Sequence, residues 1–269
     1  MVTDAGATPV TGGVAARARQ VTRAGGFLGV TAAMLPAFLA RMAATTDANR
    51  DAVRDAWVGR WARALLRLFA IEAVIDGVVP APTQGRGRGR LIVTNHRSAV
   101  DIGIVLSTFG GTMVSRADLA TWPVLGAAAR AVGTVFVDRS SAKSGAATIR
   151  QIKKLLEEGQ TINLFPEGTT FDGDEVRPFH GGAFVSAVRA EAEILPVGFA
   201  YPRASGAAFV NESFAAHLAR MSRSSATRMV VAIGEPFIAR KSDRATDITK
   251  RAQSEVQALV TRARARCGP

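Results

Sequence analysis

From Arg90 onward, short apolar runs bounded by polar turns alternate with longer segments of helical spacing. Leu91–Thr94, Thr112–Ser115, Thr134–Val137, Thr161–Phe165, Ile194–Ala200 and Met229–Ile233 read as strands. Ile102–Phe109, Val124–Ala131, Lys143–Glu158, Gly182–Ala192 and Asp243–Arg266 read as helices. Parallel strands need long crossovers, and an amphipathic helix is the crossover that buries its own apolar stripe. The alternation therefore predicts an α/β fold: a layered, mostly parallel sheet with helices on both faces. Ligands of such sheets bind beyond the carboxyl ends of the strands.

Three strand ends carry polar groups suited to chemistry. The first strand runs into Thr94-Asn95-His96-Arg97-Ser98-Ala99-Val100-Asp101. Five residues of continuous helix rotate by about 500°, which would put His96 and Asp101 on different faces. They converge only if His96 sits on the strand–helix turn and Asp101 in the first helical turn. A carboxylate there fixes the tautomer of the imidazole and stabilises it once protonated. That makes a general base with no protein nucleophile beside it, suited to deprotonating a substrate hydroxyl. The competing reading is a polar turn whose Asp favours a helix N-terminus.

At the second end, Val135-Phe136-Val137 precedes Asp138-Arg139, where a guanidinium can clamp a phosphate. At the third, Leu164-Phe165 leads into Pro166-Glu167-Gly168-Thr169-Thr170, with Gly168 free to take positive φ or admit a ligand. An exposed Asp–Arg pair and an ordinary glycine turn are the plainer alternatives. Parallel strands bring all three ends to one rim.

The preceding segment has a different character. Residues 1–25 lack apolar periodicity and read as a flexible N-terminus; residues 26–80 read as membrane-associated helices, and 81–269 as the α/β domain. Ala24–Ala40 is uncharged, but seventeen helical residues reach only about 25 Å against a hydrocarbon core of roughly 30 Å, and Pro36 would kink them. A segment lying in one leaflet is the reading taken, against a full span or a buried helix. Asp51–Ile75 carries a stripe including Trp57 and Trp61 flanked by arginines, the pattern of a membrane-surface helix or of a core-facing helix with a basic outer face. The net charge of +12 calls for an anionic partner. One tyrosine and three tryptophans are few for base stacking, and a basic nucleic-acid binder is only a remote alternative. A single cysteine leaves no internal disulfide framework and no multi-cysteine metal site. No Gly-x-Ser-x-Gly elbow marks a serine hydrolase.

Taken in order, Asn95-His96-x4-Asp101, Gly133-x2-Phe136-Val137-Asp138-Arg139, Phe165-Pro166-Glu167-Gly168-Thr169 and Leu195-Pro196-Val197 resemble the four blocks of the glycerolipid acyltransferases, typified by 1-acyl-sn-glycerol-3-phosphate acyltransferase. The resemblance covers about residues 50–235. It implies His96 as general base and Asp101 as its orienting partner, with Arg139, Glu167, Gly168 and Thr169 shaping the acyl-acceptor site. It also implies acyl-CoA or acyl carrier protein as donor, a lysolipid as acceptor and a membrane surface as partner. Nucleic acid, cofactor and metal have no part in it. The implied location is the cytoplasmic face of the inner membrane, peripheral or monotopic. The third block commonly ends in Arg where this chain has Thr170, and Phe-Pro-Glu-Gly-Thr-Thr followed by Asp-Gly is closer to the lyso-ornithine-lipid acyltransferase branch. Acylation of 1-acyl-sn-glycerol 3-phosphate is the expected reaction, and lyso-ornithine lipid is the alternative acceptor.

Overall fold

The structure, a computed structural model, describes residues 13–83, 87–122, 124–138 and 140–267. Arg139, the first twelve residues and residues 84–86 lie outside them. The chain begins with helices α1 (Val14–Ala43) and α2 (Arg50–Leu68) and strand β1 (Ile71–Asp76). There follow β2 (Arg90–Thr94), α3 (Val100–Phe109), β3 (Thr112–Arg116), α4 (Leu125–Ala131), β4 (Val135–Val137), α5 (Ala142–Glu157) and β5 (Thr161–Leu164). The remainder is α6 (Gly182–Arg189), β6 (Glu193–Ala200), α7 (Phe214–Arg223), β7 (Thr227–Ile233), β8 (Phe237–Ile238) and α8 (Ala245–Cys267).

The strands form one sheet in the order β1-β7-β6-β2-β5-β3-β4, with β8 beside β6. Strands β6, β2, β5, β3 and β4 are mutually parallel, so their carboxyl ends share one rim. β7 runs antiparallel to β6 and carries β1 on its outer side, which keeps the sheet mostly parallel as expected.

Central strand β2 shows why the sheet is covered on both faces. Leu91 and Val93 are fully buried among Ile152 and Leu156 of α5, Phe184 of α6 and Val256 of α8. Ile92 points the other way, into Ala62 and Leu65 of α2 and Ile104 of α3. A strand buried on both sides is apolar at its centre, with the buried Arg90 at its start paired to Glu193, and the period of two sets its sidedness. On β6, a Cβ at Gly198 would meet the backbone of Leu259 and Val260 at 2.5 Å, so α8 crosses the sheet where only glycine fits.

The structure differs from expectation in several places, and α7 and β8 have no counterpart among the expected elements. The helix predicted over Asp51–Ile75 stops at Leu68, because Ala70 takes φ +53° and redirects the chain into β1. Ile71–Asp76 therefore pairs with β7 instead of continuing the N-terminal helix. Residues 14–25, expected to be loosely held, form the first turns of α1. They are tied down by arginine: Arg19 donates to Arg223 O at 3.1 Å, and Arg23 to Ser222 O at 3.3 Å and Ser225 O at 3.2 Å. These carbonyls lie at the end of α7, where a helix leaves acceptors without intrahelical partners. α1 continues through Pro36. Finally, Trp57 and Trp61 pack against α1: Trp61 Nε1 donates to Thr31 Oγ1 at 3.0 Å, and Trp57 packs on Phe38 with ring centroids 6.4 Å apart. The outward face of α1 is apolar, with Val21, Leu28 and Leu39 exposed.

Candidate active site

Asn95 closes β2 and fixes the start of the turn that follows. Its side chain exchanges two hydrogen bonds with Phe199 of β6: Nδ2 donates to O at 3.0 Å and Oδ1 accepts from N at 2.7 Å. The chain then leaves the sheet, and α3 begins at Val100, which puts Asp101 in the first helical turn and His96 on the connection. The two meet, His96 Nδ1 lying 2.9 Å from Asp101 Oδ2. The same oxygen accepts from Arg97 N at 2.7 Å and Ser98 N at 2.8 Å, and Oδ1 accepts from the hydroxyl of Tyr201. A fully buried carboxylate with four donors is held in one orientation. The His96 ring stacks on Phe165, centroids 3.9 Å apart and planes 11° from parallel, so its remaining nitrogen is held in a fixed direction.

The third strand end lies beside the first. Gly168 takes φ +85°, its N–H donating to Phe165 O at 3.1 Å, and Gly168, Thr169 and Thr170 line the same cavity as His96. Glu167 does not. Its side chain is fully buried and turned inward, accepting from Arg97 Nη1 at 2.7 Å, His96 N at 3.3 Å and Arg177 N at 3.2 Å. Arg97 spends its other donors on backbone: Gly173 O and Glu175 O at 2.7 Å, and His96 O at 2.9 Å. The pair fastens the loop after β5 to the His96 turn. Asp138 at the end of β4 is exposed, and hydrogen bonds from Ser140 hold its carboxyl below the usual range. Arg139 lies outside the described residues.

Two polar groups of the site carry no local signal in sequence. Tyr201 stands one residue past β6, and His217 on α7 is buried behind the site, with Nε2 3.3 Å from Ser98 Oγ and Nδ1 3.1 Å from Glu212 Oε1. Burial pushes the His217 imidazole down from its ordinary value, against the opposing pull of Glu212, so it is neutral at pH 7. Arg220 holds Glu212 below the usual carboxylate range. Burial, then the adjacent Asp101 charge, raises the Tyr201 phenol well above its ordinary value.

His96 stands at the polar end of a cavity of about 550 Å³. Its far walls are apolar, from Phe27 and Phe38 of α1, Trp57 and Trp61 of α2, and Met113 and Trp122 near β3. This is the volume range of small-molecule sites, and Ser115, Arg116 and Asp118 add polar groups to the lining beside His96 and Thr169.

Comparison with known proteins agrees with this architecture. A model of the family described as Acyltransferase matches residues 77–200. The lyso-ornithine lipid O-acyltransferase of Pseudomonas aeruginosa is 29% identical over 73% of this chain and 75% of its own length. That of Brucella abortus is 33% identical over 63% of this chain and 70% of its own. The 1-acyl-sn-glycerol-3-phosphate acyltransferase of Neisseria gonorrhoeae is 30% identical over 55% and 57%. The crystal structure of the 1-acyl-sn-glycerophosphate (LPA) acyltransferase PlsC from Thermotoga maritima superposes with a TM-score of 0.72 at 18% identity, covering 94% of this chain and 100% of that one. Relatedness of this extent to named enzymes accounts for the order of the blocks along the chain, and the chain belongs to the acyltransferase family.

Proposed function

We propose that this enzyme moves a fatty acyl group from a thioester donor, acyl-CoA or acyl carrier protein, to the free hydroxyl of a lysolipid, with His96 as general base. The observation that carries the reading is a histidine oriented by a buried carboxylate and lining a largely apolar cavity. His96 takes the hydroxyl proton as the oxygen attacks the thioester carbonyl, and Asp101 stabilises the imidazolium that forms. Collapse of the tetrahedral intermediate breaks the carbon–sulfur bond, and the proton passes from His96 to the departing thiolate. The apolar walls hold hydrocarbon and keep water from competing with the lipid hydroxyl.

The acceptor favoured first is 1-acyl-sn-glycerol 3-phosphate, giving phosphatidic acid in phospholipid biosynthesis, with Arg139 at its phosphate. One observation supports lyso-ornithine lipid instead: the cavity that His96 lines also carries the neutral Thr170, its hydroxyl given to Phe209 O, and the carboxylate of Glu212, while its Arg116 is paired with Asp118 at 2.7 Å. A phosphate monoester carries close to two charges and suits two cations better than one. Purified enzyme assayed on both acceptors, with both donor types, decides between them. Thr170→Arg should lower KM for the phosphate acceptor by about 10- to 150-fold, the worth of one charge-assisted hydrogen bond, and leave the ornithine acceptor unimproved. An unchanged ratio of kcat/KM for the two acceptors in folded variant removes position 170 from headgroup reading.

The same reading seats the enzyme on the cytoplasmic face of the inner membrane as a peripheral or monotopic protein, through the exposed apolar face of α1. α1 is 30 residues long and apolar enough to cross a bilayer by length and composition. One face of it, from Ala16 through Phe27 to Phe38, is nevertheless buried against protein along its length, which favours a helix lying in the membrane plane. Deleting α1 would strip a cavity wall, so the cleaner test charges its outer face. Val21→Glu, Leu28→Glu and Leu39→Glu together should cut binding to anionic vesicles by about tenfold or more while sparing turnover of monomeric acceptor. Undiminished co-sedimentation would exclude α1 as the seat.

A further inference from the structure

We propose that Tyr201 is a positioning residue for acyl transfer: its hydroxyl holds the second oxygen of Asp101, so that the carboxylate presents Oδ2 to His96. The proposal deepens the general-base reading above and rests on it. Tyr201 is the only tyrosine in the chain. β6 and β2 are parallel, with Val197 paired to Thr94, so the residue just past the end of β6 rises beside the His96 turn. There the phenol is buried and donates to Asp101 Oδ1. Oδ2 is already given to His96 Nδ1, Arg97 N and Ser98 N, which leaves the phenol as the donor to the other oxygen.

The consequence is orientational and electrostatic together. With Oδ1 free, a buried acceptor would be left without a partner and the carboxylate could turn away from the imidazole. With Oδ1 bound, part of the anionic charge is drawn off, which weakens the pull of Asp101 on the His96 proton. Tyr201 is itself held, since Arg264 of α8 donates to Tyr201 O at 2.6 Å while pairing with Asp174 at 2.7 Å. Burial and the adjacent carboxylate keep the phenol protonated, and hence a donor, across the assay range. The other titratable or charged groups around it are His96, Arg97 and Glu167 on the two turns, Glu212, His217 and Arg220 behind Ser98, and Cys267 of α8.

Tyr201→Phe keeps the ring and removes only the donor. We expect kcat to fall roughly tenfold with KM within about twofold, since the bond acts on the proton transfer and not on lipid binding. With one donor fewer, Asp101 pulls harder on the imidazolium, and the acid limb of the kcat/KM profile moves to higher pH. Because the tyrosine is unique, growth on 3-fluorotyrosine changes position 201 alone. Its more acidic phenol donates more strongly, so the acid limb moves to lower pH, opposite to Phe. This second arm decides the matter if the Phe variant does not fold. A folded Tyr201→Phe enzyme with wild-type kcat and an unmoved acid limb overturns the proposal, as do two replacements that move the limb in the same direction. With His96→Ala inactive, those results strike Tyr201 alone; a His96→Ala enzyme that turns over normally overturns the base reading and this proposal with it.

Discussion

His96→Ala should reduce acyl transfer by about 10²- to 10⁴-fold while leaving the protein folded, the usual cost of removing a positioned general base. The prediction is specific because the imidazole does little for stability. It is partly exposed, contributes one bond to Asp101, and stacks on one phenylalanine. Asp101 keeps three of its four donors in the variant. Loss of kcat with an unchanged melting curve and unchanged lysolipid binding is the expected pattern. Turnover within tenfold of wild type would remove His96 from the chemistry. The cavity would then have to bind lipid for some other purpose.

The second large effect is on stability and falls one residue along. Arg97→Met should destabilise the protein by about 3–5 kcal/mol, lowering Tm by something on the order of 10 °C. The side chains of Arg97 and Glu167 are 5% and 0% exposed, so removing the guanidinium leaves a buried carboxylate without its countercharge and takes a donor from three carbonyls, of which His96 O keeps Phe171 N. Breaking a buried pair from one side is what makes the cost large, because the orphaned charge has no water to turn to. The double variant Arg97→Met/Glu167→Gln should therefore lose less than the sum of the two single changes. Activity should fall with stability, since the pair joins the His96 turn to the loop that follows β5. Wild-type melting of Arg97→Met would show that the loop is held by other contacts.

These two neighbours mark the boundary between what is local and what is not. The spacing of His96 and Asp101 is legible because a strand, a turn and a helical first turn leave one geometry in which the two can meet, and that geometry is set within six residues. The same holds for most strands and helices past Arg90, whose periods of two and 3.6 record which faces are buried. A period does not record what covers the face. Trp57 and Trp61 have the pattern of an interfacial helix, yet they face α1 and a cavity, because α1 arrives from thirty residues upstream to receive them.

Glu167 carries the clearest case of tertiary decision. A glutamate beside a glycine at a strand end reads as a group offered to ligand, and Gly168 and Thr169 do line the cavity. Which way the carboxylate turns depends on Arg97, 70 residues earlier, which draws it into the protein. The break before β1 was equally hidden, since Ala70 at φ +53° gives none of the warning that glycine gives. Tyr201 and His217 come from beyond the sheet's centre, 100 residues from Asp101 and 119 from Ser98, and nothing near them in the chain distinguishes them from core residues. Sequence by itself determined most elements past Arg90, their sidedness and the histidine–aspartate pair, because those follow from neighbours along the backbone. Tertiary structure alone decided which polar groups stand behind the pair and which face the cavity, because a buried charge or hydroxyl goes wherever folding brings it a partner.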